Sequence, residues 1–413
     1  MILDSTIRLL YWCAIFCTFF LSYIKIGVFP PSNYIAVLLI YILIIKIFAS
    51  RKNIFKNDQL IFFTFLISLI ISLTMVLSGD SISDIIFRLA KSMGTGLILS
   101  MASFAVVYTY GFKSAIKPMF LFGTLTSIVA IMQAMDFDFA WSLRESMGYA
   151  NDWAVEEQIT KRFRVPGMAF YSNTLSYQLL VVFALVMIGI KNNTNFLIKK
   201  NLINIAAIII IAIAILLTGG RSAYPVILLL FYIIFTSSIG LYRYFLVFLV
   251  VGSILSLFVF NNDLLDRLLN AGIGGRVNSW LNGFQLLLIE PFGIGEDTSN
   301  FAKIILSEDF NRSGSVQYPH FHLITAGVKF GLFPVIIYII YNITLIIRVN
   351  LTLKKTRSIV ILSIIIYQFN TMFHNAGMLL GEQNGWYMFG IIEALLAIEK
   401  RRMKYKLNAI GDN

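Results

Sequence analysis

Apolar residues in this chain come in continuous runs of about 15 to 25, separated by polar segments that carry most of its charge. A run of that length crosses the hydrocarbon of a bilayer as an α-helix. The runs do not alternate apolar and polar positions, as membrane β-strands would. The pattern predicts an all-α, polytopic integral membrane protein with about twelve transmembrane helices. They fall near residues 9–26, 34–48, 60–77, 93–110, 118–135 and 169–190, then 203–217, 223–238, 245–260, 323–347, 359–373 and 386–398.

The connecting segments alternate in charge. With the N-terminus inside, the inner segments hold 20 of the 33 basic residues, from Arg8 through Lys46, Lys117 and Arg348 to the cluster at 400–406. Four acids share that side, Asp4, Asp58, Glu399 and Asp412, leaving +16 inside and −4 outside. Basic residues stay on the cytoplasmic side of spans, so both termini are predicted to be cytoplasmic.

Two outer segments are longer than a turn needs, 136–168 and 261–322. The chain thus divides into spans 1–9 over residues 1–261, a large outer loop over 262–322, and spans 10–12 with a basic tail over 323–413. Within the large loop, Leu264, Leu265, Leu268 and Leu269 lie opposite Asp263, Asp266 and Arg267. A second apolar face, Val277, Trp280, Leu281, Phe284, Leu287 and Leu288, lies opposite Asn278, Ser279, Asn282 and Gln285. Both patterns predict short helices in the membrane interface, the second ending at Pro291.

Composition agrees with the pattern. Of 413 residues, 58% are hydrophobic and 13% charged, about half the charged fraction of a soluble domain. The net charge of +12 follows from topology and does not argue for nucleic acid. Cys13 and Cys17, the two cysteines, share the first apolar run. Their spacing on one helix does not favour a disulfide, and they read as small buried hydrophobes.

Candidate chemistry concentrates at the outer mouth. Arg164, Arg221 and Arg276 stand there, Arg221 where Thr218-Gly-Gly meets Ser222-Ala-Tyr between two spans. An ionisable group at a span junction marks a functional-site candidate, and guanidinium is a natural ligand for phosphate. A headgroup anchor or structural ion pair is the bland alternative. His320 and His322 close the large loop, and His374 with Asn375 ends the eleventh span. A histidine near neutral pH can take a proton from a sugar hydroxyl, and a capping or core role competes with that reading. Glu290, Glu296 and Asp297 flank Pro291-Phe-Gly-Ile-Gly295 as alternative bases. No metal or cofactor is expected: His320-Phe-His322 offers too few ligands for zinc, and Asp136-Phe-Asp138 reads better as solvated acids. The sequence has no nucleotide-binding glycine loop.

At these residues the sequence resembles the O-antigen polymerase and O-antigen ligase family of bacterial envelope glycosyltransferases. Four stretches carry the resemblance, in order: Arg164-Val-Pro-Gly-Met-Ala-Phe-Tyr-Ser-Asn173; Thr218-Gly-Gly-Arg221-Ser-Ala; Gly275-Arg276 with Trp280 and Pro291-Phe-Gly-Ile-Gly295; and His320, eleven residues before Gly331. They cover about residues 164–334. Phe321 and Pro334 stand where the ligase branch has small or polar residues, which favours the polymerase branch.

The resemblance implies a GT-C-like, metal-independent transferase of the bacterial inner membrane, its site facing the periplasm. Its donor would be an undecaprenyl-diphosphate-linked oligosaccharide. Arg221 and Arg276 would hold the diphosphate, and His320 would take the proton of the attacking hydroxyl. Arg164, Asn173, Trp280, Glu290 and His322 would line the substrate. Membrane lipid and a chain-length regulator protein are the further partners it brings. Two other readings stay open. A ligase would move the glycan to lipid A core. A flippase or transporter would move it without chemistry, and a pseudo-repeat or a deep polar cavity opening inward would favour that reading.

Overall fold

The computed structural model describes residues 2–21, 24, 30–50, 59–77, 81–146, 164–169, 171–191, 201–218, 274–295, 321–371 and 377–411. Every regular element among them is helical. The order is α1 (Ile2–Phe20), α2 (Pro31–Ser50), α3 (Gln59–Leu77), α4 (Ile82–Leu89), a π turn over Ala90–Gly94, α5 (Thr95–Tyr110) and α6 (Phe112–Ala134). Then come α7 (Asp138–Glu145), α8 (Ser172–Lys191), α9 (Asn201–Leu217), α10 (Gly274–Ile289), α11 (His322–Phe330) and α12 (Leu332–Thr352). The chain ends with α13 (Arg357–Thr371), a 3-10 turn over Met378–Leu380, and α14 (Gln383–Gly411).

Among the described residues, five helices are long and apolar enough to cross a membrane: α1, α3, α6, α8 and α12. The apolar parts of α2, α5, α9 and α13 are shorter. The predicted spans 223–238 and 245–260 and the predicted helix near 264–269 lie outside the described residues.

The tenth predicted span is not one helix. Gly331, at φ +93°, separates α11 from α12. The fourth begins earlier than predicted, because α4 and the π turn lead directly into α5.

The helices are inside-out by the standard of a soluble protein. Phe62, Phe65, Leu69, Leu73 and Val76 form an exposed stripe on α3, and Ile336, Ile340, Ile343 and Ile347 form one on α12. These recur at helical spacing on the side away from the packing, where lipid tails would replace water. Thr64 and Thr74 of α3 are instead buried. The Thr74 hydroxyl satisfies itself on the preceding turn, donating to the Ile71 carbonyl at 2.9 Å, as Ser127 does on the Gly123 carbonyl at 2.6 Å.

Two compact units divide the chain, with the boundary inside α5 and α13. The first comprises residues 1–50, 106–271 and 355–367, the second residues 51–105, 272–354 and 368–413.

In the first unit α1 packs on α2 and α6, while α6, α8 and α9 pack on one another. Pro31 opens α2, a position where no amide hydrogen is needed. Residues 175–189 of α8 are buried all round, so this helix is central. Its Gln178 side chain donates to the Thr18 carbonyl of α1 at 3.1 Å. Cys13 and Cys17 are unpaired, and Cys17 is buried.

In the second unit α12 packs on α3, α11 and α14. Small residues permit close approach. A Cβ on Gly390 of α14 would lie 2.3 Å from the Ser100 carbonyl oxygen, and one on Gly96 would enter the Trp386 ring. Arg348 of α12 donates twice to Glu393 of α14, at 2.8 Å each, and Tyr341 adds a hydroxyl at 3.3 Å. The Glu393 side chain is fully buried. The bidentate geometry and the third donor offset the cost of removing that carboxylate from water.

Candidate functional site

The candidate residues of the second unit hang on α10. As predicted, this helix ends just before Pro291. Ser279, Asn282, Leu286 and Leu287 turn inward, while Leu281, Phe284 and Leu288 of the predicted apolar face are exposed. The apolar stripe therefore faces outward, as an interfacial helix requires, but without Leu287. Leu287 instead joins Leu286 and Val328 in a small core, with Ile294 and Ile324 against it.

The turn after α10 interlocks with the break between α11 and α12. The last carbonyls of a helix lack intrahelical partners. Here the Ile294 amide donates to the Val328 carbonyl at 2.8 Å, and Gly295 to Lys329 at 3.2 Å. In return the Leu332 amide donates to the Pro291 carbonyl at 2.8 Å. Gly293, Gly295 and Gly331 all have positive φ, at +83°, +79° and +93°. That conformation is cheap only for glycine. Space excludes side chains as well, since a Cβ on Gly331 would lie 2.9 Å from the backbone of Phe292. The Pro-Phe-Gly-Ile-Gly stretch is thus a backbone clasp.

On the same helix Trp280 packs against Phe321, with ring centroids 5.7 Å apart at 59°. This contact joins α10, which bears Arg276 one turn before Trp280, to the residue directly after His320. Arg276 lies in the first turn of α10. His320, Arg221, Glu296, Asp297 and His374 lie outside the described residues. Glu290 is exposed at the end of α10, its amide bonded to the Leu286 carbonyl at 2.7 Å.

His322 begins α11 and is fully buried. Its Nε2 accepts from the Leu379 amide at 3.3 Å, and the ring meets Tyr338 edge-on at 5.5 Å. A Cβ on Gly377 would fall 2.3 Å from the imidazole Cδ2. Nε2 as acceptor puts the hydrogen on Nδ1, which has no partner among the described residues. Burial pushes this imidazole down to about 3, so it is neutral at physiological pH. Tyr338 in turn accepts from Gln368 at 2.7 Å, and Gln368 also reaches Asn342 at 3.0 Å. The sequence placed His322 among the substrate residues. The structure gives it a packing position that holds the 377–380 turn against α11.

Arg164 and Asn173 belong to the first unit. The Arg164–Ala169 segment is held on α6 by two side chains. Gln133 grips Gly167 from both sides, Nε2 donating to its carbonyl at 3.1 Å and Oε1 accepting its amide at 2.9 Å. Nε2 also reaches the Ala140 carbonyl of α7 at 3.2 Å. Thr126 accepts the Met168 amide at 3.0 Å. A Cβ on Gly167 would sit 2.8 Å from Thr126 Oγ1. This clamp leaves Arg164 half-buried at its edge, and Asn173 half-buried in the first turn of α8.

Gln133, Thr126 and a fully buried arginine on α7, Arg144, were not anticipated. The available signal was an amide within an otherwise apolar span, which in lipid must find a partner.

Comparison with known families adds one finding. Residues 205–339 match the family model described as O-Antigen ligase. The matched segment takes in Arg221, Arg276, the Pro291–Gly295 clasp, His320 and the Gly331 break, and stops within α12. Arg164 precedes it. No curated protein matches the chain.

Proposed function

With residues 205–339 supporting the O-antigen polymerase and ligase family, we infer that this protein is a membrane glycosyltransferase of the polymerase kind. It moves a glycan from a lipid diphosphate carrier onto a hydroxyl of another lipid-linked repeat unit, at the outer face of the bacterial inner membrane. The hydroxyl oxygen attacks the anomeric carbon, and the bond from that carbon to the diphosphate oxygen breaks. The leaving diphosphate takes the electron pair, and C1 inverts. Arg221 and Arg276 stabilise the charge that builds on it, while His320 takes the hydroxyl proton. Arg164, Asn173 and Trp280 border the glycan, with Glu290 at the exposed end of α10. No metal takes part in this scheme.

The observation that carries this reading is the Trp280–Phe321 contact inside the matched segment. It fastens the helix bearing a candidate phosphate-binding arginine to the chain bearing the candidate base. Positioning of this kind is what a transfer between two bound reactants needs.

The ligase reading is favoured by the description of the matching family model. Against it stands Phe321 itself. Its ring is used in packing against Trp280, where the ligase branch has a small polar residue.

A lipopolysaccharide gel from a strain lacking this protein separates the two. A ladder that collapses to core plus one repeat unit supports the polymerase. Loss of all core-attached repeats, with long lipid-linked polymer accumulating, supports the ligase. Single repeats trapped on the cytoplasmic side would overturn both in favour of a flippase.

A further inference from the structure

At the basic end of the first unit, α1, α5 and α6 enclose a cavity of about 160 Å³ lined by Arg8, Tyr11, Trp12, Val106, Ser114 and Lys117. That is several times the roughly 30 Å³ share of one water, ample for a tetrahedral oxyanion. Its walls are mostly apolar, with Tyr11 and Val106 buried. Its charged members are two cations.

Neither cation is neutralised by a carboxylate among the described residues. The Arg8 guanidinium lies 4.8 Å from the Tyr110 ring centre, and the Lys117 ammonium 5.9 Å from that of Trp12. An aromatic face steadies a cation while leaving its N–H donors available. The carboxylate nearest in the structure's bonding, Asp4, is already engaged by Lys46 and by Tyr110 at 2.7 Å. Lys46 itself bonds the Tyr110 hydroxyl at 3.0 Å and lies 4.7 Å from the ring centre. Among the described residues Asp4 thus pairs with Lys46, and neither Arg8 nor Lys117 has an acid partner.

We propose that this cavity binds the phosphate of an anionic lipid headgroup. Arg8 and Lys117 pair with the phosphate, while the Ser114 hydroxyl on the same lining donates to the Tyr110 carbonyl at 2.9 Å. Tyr11, Trp12 and Val106 supply an apolar wall against which the glycerol and upper acyl carbons rest. This end of the helices carries the basic residues that the positive-inside rule places at the cytoplasmic leaflet, where anionic headgroups are drawn to basic pockets between helices. No residue of the proposed transfer machinery lines the cavity, and the site serves to seat the first unit in its leaflet.

The test is native mass spectrometry of the purified full-length protein in neutral detergent. It is titrated with phosphatidylglycerol, with phosphatidylcholine, and with inorganic phosphate as a competitor. The wild type is expected to take up phosphatidylglycerol in preference to phosphatidylcholine. Arg8→Gln and Lys117→Gln should each weaken that uptake about fivefold. Lys113→Gln, an exposed neighbour that does not line the cavity, should leave it unchanged. Arg8→Lys, which keeps the charge, guards against misfolding and should retain most binding. Displacement by inorganic phosphate would uphold the phosphate site but make any phosphate its ligand, whereas resistance to it identifies the lipid. Equal uptake by wild type and Arg8→Gln, or no preference for phosphatidylglycerol, would overturn the proposal.

Discussion

A Cβ placed on Gly293 would lie 2.6 Å from the amide nitrogen of Gly331, thirty-eight positions later in the chain. Two backbones touch at that point, and the three hydrogen bonds around them join the turn after α10 to the α11–α12 break. Gly293→Ala and Gly331→Ala each add a positive-φ penalty of about 1–2 kcal/mol to a backbone clash. Both should lower the melting midpoint of the detergent-solubilised protein. Gly327→Ala should do less, because the nearest atoms its Cβ would meet belong to the Leu287 side chain rather than to backbone. A Gly293→Ala protein as stable as the wild type would refute the clasp.

The Trp280–Phe321 contact should be worth about 0.5–1.5 kcal/mol beyond its buried area. Trp280→Ala and Phe321→Ala should each reduce polymer formation, and the double variant should lose less than the sum of the two. Strict additivity in polymer length on the gel would mean that the rings do not act together.

Removing a donor that stabilises developing charge costs about 100- to 1,000-fold in rate. Arg221→Ala, Arg276→Ala and His320→Ala should therefore abolish polymer while membrane levels stay intact by immunoblot. Full activity in His320→Ala would move the search for the base to Glu290 or Glu296.

His322 should behave unlike His320. It is buried and neutral, with its pKa down from an ordinary 6.5 to about 3. Between those values the unfolded chain binds a proton that the folded protein does not. The stability of the packing around it is thus complete above pH 6.5 and lost as pH falls towards 3. Melting midpoints between pH 4 and 8 should show this slope, and His322→Phe should flatten it. His322→Ala should lower the amount of folded protein along with activity.

The Arg348–Glu393 pair offers a test far from the proposed chemistry. Glu393→Ala leaves the partly exposed Arg348 guanidinium without its buried partner, at a cost below the roughly 3–5 kcal/mol of a fully buried broken pair. It should deplete the protein from the membrane. Restoring neutrality with Arg348→Met in the same chain should recover much of the loss.

Much of the helical frame was legible in the sequence, because apolar run length is a local property. So was the end of α10, since Pro291 stops a helix wherever it stands. The eighth and ninth predicted spans fall outside the described residues, and the tenth was misread. Gly331 sits in a largely apolar run two residues after Lys329, and an isolated glycine there is compatible with a continuing helix. Only the Pro291 carbonyl and the Phe292 backbone, distant in sequence, make the break necessary. The candidate site was proposed from residue types alone. Its support was not legible in the sequence: Gln133 holding Gly167, Phe321 against Trp280, and His322 in the packing are pairings that periodicity cannot report.

The sequence by itself determined that this is a helical membrane protein and where α10 stops. These follow from the cost of placing charge and unpaired backbone in hydrocarbon, a cost each segment bears alone. Tertiary structure alone decided which face of α10 turns inward, where the tenth span breaks, and which polar side chains satisfy one another. In an apolar solvent every face of such a helix is tolerable, so close packing and hydrogen bonds between distant segments make the choice.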